Sequence, residues 1–150
     1  MTSCPRPTRA MTSGGPDVAG LIDRYDAAWN AQDLDAIASM HDDAIVFHNH
    51  TAGERVAGAA AVRAHIGAIF ARWPTLRFER RSLRCGADFA VSEWTARATH
   101  PDDGRRLEWD GVDIFPLTAD GRIARKDVYS SSGTPRVLSP PVVVPSRPRP

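Results

Sequence analysis

The chain has 150 residues, 42% of them hydrophobic, and its formal net charge at pH 7 is +1. That length suits one domain that buries its own core without needing disulfides or metal ions. The 19 basic and 18 acidic side chains nearly balance, which excludes a strong overall field toward nucleic acid or an anionic membrane. We therefore expect neither of these among its partners.

Both ends of the chain are rich in proline and small polar residues, which is typical of segments that cannot bury a core. We predict a disordered leader over 1–16, one domain over 17–132, and a Pro-rich disordered tail over 133–150. The two cysteines, Cys4 and Cys85, suggest neither a disulfide framework nor a thiolate metal site. The sequence also lacks a secretory signal pattern. Together with the cysteine usage, this leads us to expect a cytoplasmic protein.

Three helices are predicted in the first half. The first opens at Pro16-Asp17, because proline suits a first turn and aspartate complements the helix dipole. The second begins after Asp33 as N-cap, and the third runs from beyond Gly58 to Pro74, which stops it. The apolar residues at helical spacing in the first helix are Val18, Leu21, Ile22, Tyr25 and Trp29.

Strands dominate the rest. Residues 44–50 alternate, with Ile45, Phe47 and Asn49 on one face and Val46, His48 and His50 on the other. Four further strands, separated by short Gly- and Asp-containing turns, are predicted over 76–85, 89–100, 105–117 and 123–130. Helices followed by such a meander favour an α+β fold with an antiparallel sheet.

Particular stretches carry a family resemblance. Residues 25–37 read YDAAWNAQDLDAI, 109–115 read WDGVDIF, and 126–129 read KDVY. The chain resembles the nuclear transport factor 2-like superfamily, in its branch of SnoaL-like polyketide cyclases and ketosteroid isomerases. The resemblance implies a cone-shaped fold in which three N-terminal helices pack on a strongly curved antiparallel sheet and enclose a pocket. It also implies a homodimer.

The resemblance implies three catalytic residues. Asp127 matches the acid/base aspartate of SnoaL-like cyclases, although an ion pair with Arg125 is an equally simple interpretation. Asp113 stands among apolar strand residues, where a charge must be paired or protonated. It matches the isomerases' oxyanion-hole aspartate, a neutral carboxyl that donates a hydrogen bond, although an aspartate held by its strand neighbours is the alternative interpretation. Tyr25 matches their second donor, although most tyrosines on such a stripe are core residues.

One position departs from the isomerase pattern. Asn49 stands where the proton-abstracting aspartate is expected, and an amide cannot act as that base. We therefore assign Asn49 to substrate binding and expect the base to be Asp127 or a histidine. The other predicted substrate-binding residues are Trp29, Phe47, Trp94, His100, Trp109, Phe115 and Tyr129.

Neither a metal nor a cofactor is expected. His48 and His50 share a strand face, but the pair lacks the third ligand that a catalytic zinc ion needs. No phosphate-binding glycine loop, nucleophile elbow or dinucleotide fingerprint occurs in the sequence.

We predict an enzyme that uses acid/base chemistry without a cofactor. Its substrate would be a hydrophobic, carbonyl-bearing small molecule, polyketide- or steroid-like, which would react through an enol or enolate in cyclisation, isomerisation or dehydration. One alternative is a non-catalytic domain of the same fold for small-molecule binding or dimerisation. A further alternative is an epoxide hydrolase-like activity.

Overall fold

The computed structural model describes Cys4 and residues 16–139. Three helices and seven strands follow one another in the order α1 (Val18–Ala31), α2 (Leu34–Met40), β1 (His41–Asn49), β2 (Glu54–Ala57), α3 (Ala59–Arg72), β3 (Arg77–Cys85), β4 (Phe89–Thr99), β5 (Arg106–Pro116), β6 (Ile123–Ser130) and β7 (Arg136–Ser139). No helix in this part of the chain is long and apolar enough to cross a membrane.

The predicted helix starts are confirmed. Asp17 caps α1 by accepting a hydrogen bond from the Gly20 amide, and Asp33 caps α2 by accepting one from the Ala36 amide. Each carboxylate satisfies one of the amide groups that a helix leaves unpaired in its first turn. The helices therefore begin where the polar residues before each apolar stripe indicate.

The sheet is mixed, which corrects the prediction of an antiparallel one. Its strand order is β2-β1-β6-β5-β4-β3, with β7 paired to β5. All pairings are antiparallel except that of β1 with β6. The short turns of the meander fix the directions of β3 to β6, but β1 precedes α3 and its direction is independent of those turns. The result is three helices on a curved, unclosed sheet, and the predicted α+β class is confirmed.

Two features of the predicted tails differ from expectation. Arg136–Ser139 forms β7, so the predicted disorder was wrong for these residues; pairing with β5 supplies the hydrogen bonds that the local sequence does not reveal. Cys4 and Cys85 form a disulfide, although 81 positions separate them in the sequence. The remainder of both predicted tails, residues 1–3, 5–15 and 140–150, lies outside the described residues.

The core lies between the helices and one face of the sheet. Ile22 of α1, Ile66 of α3 and Ile45 of β1 are fully buried there. The predicted alternation in β1 is confirmed, because Ile45 and Phe47 are buried while His48 lies on the opposite face. We call the helix-covered side of the sheet its inner face and the other side its outer face.

Candidate active site

A cavity of about 510 Å³ opens between the helices and the inner face of the sheet. Six aromatic residues line it: Trp29, Phe47, Trp73, Phe78, Trp94 and Trp109. A second cavity of about 200 Å³ adjoins it. Five residues line both cavities: Trp29, Phe78, Trp94, Asp113 and Lys126.

A buried ion pair lies where the two cavities meet. Lys126 Nζ donates a hydrogen bond to Asp113 Oδ2 at 2.9 Å, and only 6% of Lys126 and 7% of Asp113 are exposed. Asp113 of β5 is paired with Val128 of β6, so Lys126 is its diagonal neighbour on the same face. The antiparallel register therefore brings the two charges together.

Aromatic rings surround the ammonium group of this pair. Lys126 Nζ lies 4.7 Å from the ring centroid of Trp29, 5.0 Å from that of Phe115 and 5.2 Å from that of Tyr25. Such cation–π contacts stabilise an ammonium ion that has lost water. Lys126 can thus remain charged inside an apolar wall.

Three buried polar atoms at the junction make no well-aligned hydrogen bond within the described residues. They are Asp113 Oδ1 and the indole Nε1 atoms of Trp29 and Trp94. Trp94 is nevertheless close enough to Asp113, and Trp29 to Tyr25, to oppose by hydrogen bonding the rise in the pKa of each group. Polar atoms buried in a native protein normally have such partners.

Burial dominates the electrostatics of Asp113. It raises the pKa of the carboxyl group, while the Lys126 ammonium opposes that change. The sequence analysis assigned Asp113 as a neutral hydrogen-bond donor. In the structure Oδ2 instead accepts from Lys126, so the carboxyl group acts as a hydrogen-bond acceptor there.

A small residue shapes the wall beside this pair. Gly111 of β5 lies opposite Trp94 of β4, and the Trp94 indole packs directly over the glycine backbone. A Cβ at position 111 would overlap the indole ring. Gly111 therefore allows Trp94 to reach the junction of the two cavities.

Tyr25 lines only the smaller cavity. Its hydroxyl and His41 Nε2 are hydrogen-bonded at 2.8 Å. Burial raises the pKa of the Tyr25 hydroxyl, and it lowers the pKa of His41 to about 4, with the Lys126 charge contributing to the latter. Both groups are therefore neutral near pH 7, and each is already the other's partner.

Asp127 does not face either cavity, which corrects its predicted orientation. Its carboxylate lies on the outer face of β6, where Oδ1 is 2.8 Å from His50 Nε2 and both oxygens accept from Arg125. Tyr129 is on the same face, 46% exposed and stacked on His50. The alternation of β6 was predicted correctly, but a period of two does not say which set of residues faces inward. Partial burial raises the Asp127 pKa, and the Arg125 and His50 hydrogen bonds lower it by more.

The other predicted substrate-binding residues divide into two groups. Trp29, Phe47, Asn49, Trp94 and Trp109 line the larger cavity. Phe115 is buried behind the wall against Tyr25, and His100 packs on Trp73 without being a lining residue.

Asn49 lines the cavity, as expected, with part of its amide already used. Its Oδ1 accepts a hydrogen bond from the Ala52 amide. The amide nitrogen is the part that remains for a ligand.

The histidine pair of β1 has a third potential metal ligand that the sequence analysis missed. The parallel pairing of β1 with β6 sets His48 beside Asp127, and the ligand atoms of His48, His50 and Asp127 all lie within 4.8 Å of one another. Arg125 holds the same carboxylate, so a cation there would face a fixed positive charge.

Sequence reasoning missed several cavity residues. Lys126 was hidden because its neighbour Asp127 matched the family pattern, although alternation places the two on opposite faces. Glu54 and His65 line the larger cavity, and Asp26 lines the smaller one. Burial raises the pKa of Asp26 to about 6 against the opposing charge of Arg80. No local pattern marks these residues, because they come from separate elements.

Comparison with solved structures identifies proteins of the same fold. The enzyme SalBIII, described as epoxide hydrolase/cyclase-like and involved in pyran ring formation in the polyether salinomycin, is 22% identical with a TM-score of 0.70, over 79% of this chain and 94% of that one. IdmH from Streptomyces antibioticus, a candidate polyketide cyclase, is 18% identical with a TM-score of 0.70, over 79% and 95%. A candidate SnoaL-like polyketide cyclase from Jannaschia sp. CCS1 is 17% identical with a TM-score of 0.68, over 75% and 84%.

Family membership follows from the sequence comparison. No curated protein matches the chain. The SnoaL-like domain family, however, matches residues 22–126. This range includes all five residues that line both cavities and most of the described strands. The chain therefore belongs to the SnoaL-like domain family.

Proposed function

We propose that this chain is an acid/base enzyme that forms an enolate from a hydrophobic, carbonyl-bearing small molecule and needs no cofactor. The observation that carries the proposal is the buried Asp113–Lys126 pair, whose two residues line both cavities. Cyclisation, isomerisation and dehydration all pass through such an enolate.

Each member of the pair has a separate task. The Asp113 carboxylate takes the proton from the carbon next to the substrate carbonyl. Lys126 donates a hydrogen bond to the carbonyl oxygen, where negative charge develops. Before the step the site holds one carboxylate and one ammonium; after it, one neutral acid, one ammonium and one enolate. The net charge of the buried site does not change, which avoids the cost of creating an unpaired charge away from water.

The cavity supports an apolar substrate of several rings. Its volume of about 510 Å³ falls in the range of small-molecule sites, and six aromatic side chains line it. The descriptions of SalBIII and IdmH, as cyclase-like and candidate cyclase proteins, agree with a ring-forming or ring-modifying reaction.

A non-catalytic binding domain is the second candidate. Asn49 favours it, because this residue stands where the isomerases that the chain resembles have their base. Its amide oxygen accepts a hydrogen bond from the Ala52 amide. Measurements of proton exchange and of binding on one sample distinguish the two candidates.

The test uses β-tetralone, a small bicyclic ketone, in deuterium oxide. The wild-type protein should accelerate loss of the α-proton NMR signal. Asp113→Asn and Lys126→Met should each lower that rate about a hundredfold or more, because they remove the base and the charge stabilisation respectively. β-Naphthol, which resembles the enol, should still bind to Asp113→Asn.

Asp110→Asn is the matched control. Asp110 lies on the same strand as Asp113, but it is exposed and bonded to Arg136. Its exchange rate should equal that of the wild type. Binding of β-naphthol without any acceleration by the wild-type protein would replace the enzyme proposal with the binding one.

A further inference from the structure

We infer that His65, which lies beside Glu54, is a second proton-transfer group of the same cavity and acts on a substrate oxygen remote from the one bound by Lys126. The inference rests on the proposed function, because it assigns a second step to the same bound molecule. It extends the site from the β5–β6 pair to residues of α3 and β2.

The placement of the two groups carries the first part of the argument. His65 and Glu54 both line the larger cavity, as do Asp113 and Lys126. Phe47 lies between the two sets: its ring centroid is 5.1 Å from that of His65 and 5.9 Å from Lys126 Nζ. A molecule lying along the Phe47 ring therefore reaches Lys126 on one side and His65 on the other.

Solvent exposure distinguishes the two ends of the cavity. The Glu54 side chain is 55% exposed and that of His65 is 20% exposed, whereas those of Asp113 and Lys126 are 10% and 7% exposed. The His65 end is thus the more solvent-exposed of the two. A group that must return its proton to water after each turnover is best placed there.

Glu54 places a carboxylate beside the His65 ring. Glu54 Oε2 lies 3.4 Å from His65 Nε2, within the distance of an ion pair. A carboxylate at that distance stabilises the imidazolium that forms when the imidazole takes up a proton. An imidazole beside a carboxylate can act as a general acid or base.

Two separated groups favour a substrate with two oxygen functions, and a β-hydroxy ketone is the simplest. The α C–H bond breaks and its proton goes to Asp113, while the electron pair enters the enolate held by Lys126. That pair then forms the C=C bond as the C–O bond breaks. The hydroxyl leaves as water with the proton of the His65 imidazolium. The products are an enone and water, with no oxidation or reduction. Solvent then takes the proton from Asp113 and returns one to His65.

The experiment compares two probes on each variant. β-Tetralone reports α-proton exchange, which needs Asp113 and Lys126. A racemic α-tetralone with a hydroxyl on the carbon β to its carbonyl reports dehydration, because the product becomes fluorescent α-naphthol. His65→Asn should lower the rate of dehydration about a hundredfold, at least tenfold more than it lowers exchange.

Two further variants separate chemistry from folding. Glu54→Gln changes an exposed side chain and should lower dehydration about fivefold, through loss of the ion pair. His48→Asn changes a histidine on the outer face and should alter neither rate. Thermal unfolding of each variant checks that the fold is retained.

The outcomes distinguish this inference from the proposed function. Failure of the wild type to exchange β-tetralone would count against the proposed function itself. Exchange without dehydration, or equal losses of both rates in His65→Asn, would overturn only the role of His65.

Discussion

The two faces of the sheet hold the same kinds of charged group in different surroundings. On the inner face, Asp113 Oδ2 accepts from Lys126, and Oδ1 has no well-aligned donor. On the outer face, Asp127 has two donors, Arg125 and His50, and both of its oxygens are bonded. Although Lys126 and Asp127 are adjacent in the sequence, they belong to different sites.

The pKa shifts of the two carboxyl groups differ in direction. Burial raises the pKa of Asp113 and is only opposed by Lys126, whereas the hydrogen bonds from Arg125 and His50 lower the pKa of Asp127 despite its partial burial. Donors beside a carboxylate lower its basicity, and burial raises it. The number of donors and the loss of water decide whether it can accept a proton.

The largest expected effect on stability comes from breaking the inner pair. Asp113→Leu leaves the Lys126 ammonium buried without its partner, and we expect the free energy of unfolding to fall by about 3–5 kcal/mol. Urea denaturation measures this change.

The double variant Asp113→Leu/Lys126→Met sharpens the result. It removes both charges, so it should recover most of the lost stability. A double variant as unstable as the single one would show that the cost arises from packing rather than from the unpaired charge.

The next effect concerns a buried histidine of the inner face. The pKa of His41 is about 4 in the folded protein, against an ordinary value of 6.5. Between these values the unfolded chain binds the proton and the folded protein does not, so stability is lost as the pH falls. We expect a loss of about 2 kcal/mol from His41 between pH 7 and pH 5.

Urea denaturation of the wild type and of His41→Gln at both pH values isolates this contribution. The variant cannot take up a proton at that position, so its stability should depend less on pH. Identical pH dependence in the two proteins would contradict the assigned cause.

The smallest effect is expected on the outer face. Asp127→Asn removes a partly exposed charge that is shared with Arg125 and His50, and it should cost about 1 kcal/mol or less. The β-tetralone exchange rate should change less than about twofold, because the side chain reaches neither cavity. Loss of exchange in this variant would restore the acid/base role that the family resemblance implied for Asp127.

The sequence predicted much of the cavity wall. Trp29 was placed on the inward stripe of α1, and Phe47 and Asn49 on one face of β1, and all three line the larger cavity. Asp113 was selected because a carboxyl among apolar strand residues must be paired or protonated, and its buried partner is Lys126. The partner itself was not predicted, since it depends on the register of β5 against β6.

By itself, then, the sequence determined the order of the three helices and of five of the seven strands, the capped helix starts and the strand alternation. It also indicated membership of the SnoaL-like family. All of these depend on short-range periodicity and local motifs. Only the tertiary structure decided that β1 lies parallel to β6, that Lys126 rather than Asp127 faces inward, and that Glu54 meets His65. Each of these depends on contacts between segments distant in the chain, and side-chain periodicity does not specify which segments pair, in which direction, or which face they bury.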